Sequence, residues 1–139
     1  MVNVFNLTDI AIEKNFFKKI GKIVLEEEKK GKTIKEVSIV LVYSDIIKKL
    51  NNQYRKKNKP TDVLSFEGEG NELGEIVICP EEVKKNSESD KSDFKKELAT
   101  VFIHGLLHLS GYDHEKSKKQ FDQMILKQNY YLKKWQHLV

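Results

Sequence analysis

The chain has 139 residues, enough for one domain (1–139) that builds its own core without staples. It is 39% apolar and 33% charged, which reads as soluble and globular, and no apolar run is long enough to span a bilayer. The formal charge of +4 suits a polyanionic partner such as RNA but equally suits solvated lysine faces, and a lone cysteine, Cys79, excludes an intrachain disulfide and fits a reducing cytoplasm.

No internal repeat or low-complexity linker breaks the chain, and Met1–Phe5 lacks the basic and apolar stretches of a signal peptide. Val2–Phe5 is a short strand candidate. From Ile10 to Glu28, Ile12, Phe16, Ile20 and Val24 recur every four residues, with Phe17 and Ile23 beside them, which predicts an amphipathic helix stopped near Gly31. Val37–Tyr43 is β-branched and apolar apart from Ser38, the pattern of a buried strand. Ser44 is placed to cap a helix on which Ile46, Ile47, Leu50 and Tyr54 share a face. Arg55–Lys59 reads as a basic loop ending at Pro60.

Asp62–Phe66 and Gly74–Cys79 are strand candidates joined by a glycine-containing turn, Glu67–Asn71. Pro80 suits the first position of a short helix, and Asn86–Ser92 reads as a polar, mobile surface loop. A helix is predicted over Asp93–Leu109 with Phe94, Leu98, Val101, Phe102 and Leu106 inward. A last helix over Glu115–Gln136 carries Phe121, Met124, Ile125, Tyr131, Leu132 and Trp135 as core residues. Strands mixed with helices predict an α/β or α+β domain with a small mixed sheet, whose strand order is not legible.

Three of four histidines fall in His104–His114 as H-x-x-x-H-x-x-G-x-x-H. His104 and His108 are i and i+4, so about 400° of helix puts both rings on one face, one turn apart. Gly111 can break the helix, because glycine accepts positive φ, and the returning chain can bring His114 as a third nitrogen. Three protein ligands leave a fourth position open, the pattern of a catalytic zinc site. One zinc ion per chain is therefore expected, although imidazole also suits other divalent transition metals. His137 reads as a bystander.

The spacing is similar to that of the metzincin proteases, with one departure. Those enzymes carry glutamate as general base directly after the first histidine, where this chain has Gly105. Asp113 is either an orienting partner of an imidazole or a turn residue. Glu97 reads as a solvated or salt-bridged carboxylate, and Cys79 as a buried small residue. No general base is named by the sequence.

Arg55 is the sole arginine among 25 basic residues, in a chain that otherwise uses lysine. Its planar fork grips a phosphate bidentately, whereas Lys56 and Lys57 supply point charge. The plain alternative is a basic surface loop.

Taken together, Leu50-Asn51 to Tyr54-Arg55, Pro60–Phe66, Leu73–Ile78 and the histidine motif make the chain resemble the YbeY family of bacterial rRNA-maturation metallo-endoribonucleases. It departs from the family's usual residues at Glu67, Glu75 and Cys79. The resemblance implies an α+β domain with the metal site in a cleft between sheet and helices. It implies single-strand-selective RNA cleavage in 16S rRNA 3′-end maturation and ribosome quality control, with small-subunit components as partners. It carries metal binding onto His104, His108 and His114 and the functional arginine onto Arg55. Two other readings stand beside it: a metal-containing RNA-binding assembly factor with little hydrolysis, and a metallopeptidase.

Overall fold

The computed structural model describes residues 1–29, 31–113, 115 and 117–138. Its elements are β1 (Val2–Asn6), α1 (Lys14–Glu28), β2 (Glu36–Leu41), α2 (Ser44–Arg55), β3 (Val63–Glu67), β4 (Glu72–Ile78), α3 (Pro80–Ser89), α4 (Phe94–Leu109) and α5 (Lys118–Leu138). The sheet order is β1-β2-β4-β3. The first two pairings are parallel, and β3 returns antiparallel on the outside of β4. The fold is α+β with a small mixed sheet, as expected.

Alternation along the strands decides which face takes which layer. Val37, Ile39 and Leu41 of β2, with Val2, Val4, Ile76 and Ile78, point into the main core with α1, α4 and α5. A smaller cluster of Val42, Ile47, Leu64, Val77 and Cys79 lies elsewhere, with α2 contributing Ile47. Cys79 is fully buried, as its apolar setting suggested.

Helix α4 sits at the centre, packed against α1, α3, α5, β3 and β4. Leu98, Ala99, Val101, Phe102, Ile103, Gly105, Leu106 and Leu107 are all buried. A helix apolar on so many sides belongs inside a domain, and His104 and His108 lie on its remaining half-buried stripe. Asp93 caps its start by accepting from the Lys96 amide.

Gly105 explains how closely this helix approaches the sheet. A Cβ there would stand 3.1 Å from two carbons of Ile76 and 3.2 Å from Ser65 Oγ. Gly105→Leu keeps good helix propensity but forces this contact apart, so we expect a loss of about 2 kcal/mol from overpacking. Thermal denaturation should show a fall of roughly 4–8 °C. An unchanged melting temperature would mean that the helix–sheet spacing is not set here.

Several expected boundaries move, each for a visible reason. The helix expected from Ile10 begins at Lys14. Asn6 organises the preceding residues: its side chain accepts from Thr8 N–H and donates to the Ile10 carbonyl. Ile12 matched the helical spacing because it packs on the core, not because it is helical. The expected loop Asn86–Ser92 is instead the last turn of α3 as far as Ser89, since Val83 and Ser87, four residues apart, are both buried. Lys91, at φ 53°, then turns the chain.

Ser44 is the first residue of α2, not its cap. The helix N-terminus is served from α3, where Glu81 Oε1 accepts from the Ser44 amide at 2.9 Å. Arg55 closes α2 rather than opening a loop. Phe121, expected in the core, is 43% exposed, whereas Met124, Tyr131, Leu132 and Trp135 are buried. The last helix begins at Lys118 rather than Glu115.

Candidate active site

The end of α2, the following loop, β3 and α4 enclose a cleft of about 740 Å³. Asn51 shapes one wall. Its side chain is buried, and its amide donates to the Lys59 carbonyl at 2.9 Å. Its own carbonyl accepts from the Lys57 amide. The chain reverses at Lys56, which adopts φ 58° in the left-handed region after the helix. This turn sends Lys57 and Lys59 to the cleft, whereas Lys56 is exposed outside its lining. Of the expected basic pair, Lys57 is therefore at the cleft and Lys56 is not. Lys59 was missed, as was Asn51, whose burial nothing in the basic segment announces.

Arg55 also lines the cleft. A terminal guanidinium nitrogen donates to the Ser65 carbonyl at 2.9 Å, and the group lies 5.7 Å from the centre of the Phe66 ring. Tyr54 meets the same ring edge-to-face at 5.2 Å. One of five guanidinium N–H donors goes to the β3 backbone, so β3 aims the fork. Asp62, the acidic residue directly before β3, accepts from Thr61 and Asn86. The opposite wall carries His104 and His108, with ring centres 6.0 Å apart. Arg55, His104 and His108 thus face one cavity, with Asp62, Glu67 and Glu115 as its carboxylates.

His114 lies outside the described residues. Among the described residues no three His, Cys, Asp or Glu side chains gather as a metal cage. The described part holds two of the three expected ligands, His104 and His108. Two imidazoles one helical turn apart, with ring centres 6.0 Å apart, stand on the wall of the cleft. An imidazole pair beside an open cleft fits a divalent transition metal.

His104 has a second contact that the sequence did not announce. Its Nδ1 lies 3.0 Å from Gln128 Oε1 on α5. The chain leaving α4 is also tethered. Gly111 takes φ 107°, and Tyr112 bonds to the Glu28 carboxylate, which Tyr131 also engages. Burial, and then the Glu28 bond, push the Tyr112 phenol up to about 12. Asp113 behaves as a turn residue, accepting from the Glu115 amide. Glu97 bonds to Ser92 and is not among the cleft residues. Position 105, where metzincins carry their base, is packed onto Ile76.

Residues 4–136 match the family model described as Endoribonuclease YbeY. The chain is 41% identical to an endoribonuclease YbeY from Thermotoga neapolitana, over 87% of this chain and 78% of that protein. It is 44% identical to one from Pelagibacter ubique, over 84% and 80%, and 35% identical to one from Bdellovibrio bacteriovorus, over 89% and 87%. The solution structure of a Thermotoga maritima protein, 34% identical, superposes with a TM-score of 0.70 over 99% of this chain and 93% of that one.

Proposed function

The chain belongs to the YbeY family of endoribonucleases, and on that premise we propose that it is a zinc-dependent, single-strand-selective endoribonuclease using the cleft between α4 and β3. The observation that carries the reading is the cleft itself: two imidazoles on one wall, and Arg55, Lys57 and Lys59 on the facing side. His104, His108 and His114 would hold the ion. When bound, such an ion supplies Lewis acidity toward a phosphoryl oxygen and brings the ionisation of water toward neutral pH.

The remaining steps belong to side chains. Arg55, aimed by Ser65, steadies the scissile phosphate and offsets the charge that builds on its oxygens. Lys57 and Lys59 hold flanking phosphates as point charges. Either water or the RNA 2′-OH serves as nucleophile. The family resemblance supports 16S rRNA 3′-end maturation and ribosome quality control as the setting, with small-subunit components as partners. Among the described residues no helix is long and apolar enough to cross a membrane.

Highly purified protein is expected to cut a single-stranded RNA and to spare the same strand fully paired. Equal cleavage of both would remove the selectivity, and binding without cleavage would make the chain an RNA-binding assembly factor. Three phosphate contacts predict that log affinity falls with log salt at a slope of about −2, at about −0.7 per contact on single strands. Raising salt from about 50 to 200 mM should then weaken binding roughly 20-fold. Salt-independent binding would rule out phosphate as the main handle.

A further inference from the structure

We infer that Gln128 is a positioning residue that fixes the tautomer of His104 and so presents the Nε2 lone pair to the metal. This rests on the metal-site reading given above. Gln128 Oε1 stands 3.0 Å from His104 Nδ1. An amide oxygen only accepts, so the proton of the contact belongs to Nδ1. A neutral imidazole with its proton on Nδ1 carries its lone pair on Nε2, one of the two forms in which histidine ligates.

The position of the contact strengthens the inference. Gln128 is half-buried on α5, 24 residues from His104, and α5 packs directly on α4. Its neighbours along the helix, Met124, Tyr131 and Leu132, are buried and anchor that face. The amide is therefore held by a packed helix rather than a loose surface arm. Such partners on the far side of a ligating imidazole are commonly worth about 10–100-fold in metal affinity.

Gln128→Leu keeps the approximate bulk and removes the acceptor. Gln128→Glu keeps an acceptor and removes the amide donor. Zinc affinity of the full-length proteins is measured by competition with a chromogenic chelator, alongside melting temperature of the metal-free forms. The expected result is 10–100-fold weaker zinc binding by Gln128→Leu at unchanged melting temperature, with wild-type or tighter binding by Gln128→Glu. Imidazole ¹⁵N shifts of metal-free wild-type protein should place the His104 proton on Nδ1, a readout that needs no metal.

Wild-type zinc affinity in Gln128→Leu would overturn the inference while leaving the metal site standing. So would weakened binding in Gln128→Glu, because Gln128 would then act as a donor. Wild-type protein that holds zinc no better than His108→Ala would overturn the metal reading and this inference together. If Gln128→Leu fails to fold, Gln128→Glu and the ¹⁵N shifts decide.

Discussion

His108→Ala is expected to strip the chain of its metal and to lower cleavage of single-stranded RNA about a thousandfold, with the fold intact. His108 lies on the half-buried stripe of α4 and lines the cleft, so its loss opens no apolar cavity. Alanine is also the better helix former. The melting temperature of the metal-free protein should therefore change little. The chemistry has no such reserve. Removing one of three expected nitrogens leaves two, too few for the tight open site that the motif implies. Lewis-acid stabilisation of a phosphoryl transition state contributes several kcal/mol, and about 4 kcal/mol is roughly a thousandfold in rate. Elemental analysis, melting temperature and cleavage are measured on one preparation purified without chelators or immobilised metal. Retained metal would remove His108 from the ligand set. Full cleavage by metal-free protein would remove the ion from the reaction.

That expectation could be formed from eleven residues of sequence, because i, i+4 spacing on a helix is a local fact. The same locality made the core legible. The apolar, β-branched run from Val37 marked a buried strand, whose Val37, Ile39 and Leu41 are in the core, and the helical spacing of Leu98, Val101, Phe102 and Leu106 assigned their inward face correctly. Local pattern failed where a distant partner decides the outcome. Glu81 serves the start of α2 from 37 residues away, so Ser44 looked like a cap that it is not. Asn86–Ser89 is polar by composition, yet Ser87 is buried, because α3 packs on α4. Gln128 meets His104 only because α5 folds back across α4, and no spacing in the chain encodes that meeting. The basic segment shows both sides. Its charge was plain, but the left-handed turn at Lys56 decides that Lys57 and Lys59 reach the cleft.

Arg55 gives the sharpest separation of charge from geometry. Arg55→Lys and Arg55→Ala are both expected to fold, keep their metal, and lose about 100-fold in cleavage. The side chain is exposed, so what it contributes to stability is one hydrogen bond to the Ser65 carbonyl and an exposed cation–π contact with Phe66. Each is worth about 1 kcal/mol or less at such a site. Together they predict a fall in melting temperature of a few degrees at most. At the reacting phosphate the balance differs. The guanidinium can give one N–H to Ser65 and still present a flat pair of donors to two phosphoryl oxygens. An ammonium at the same site keeps the charge but has no fixed fork. Loss of one aimed donor to developing charge costs about 10²–10³ in rate at comparable sites. A structural role for Arg55 would give another pattern: lower melting temperature in both variants, with activity lost in proportion to folded protein. Full activity in Arg55→Lys would show that point charge suffices and that the β3 carbonyl aims nothing the reaction needs.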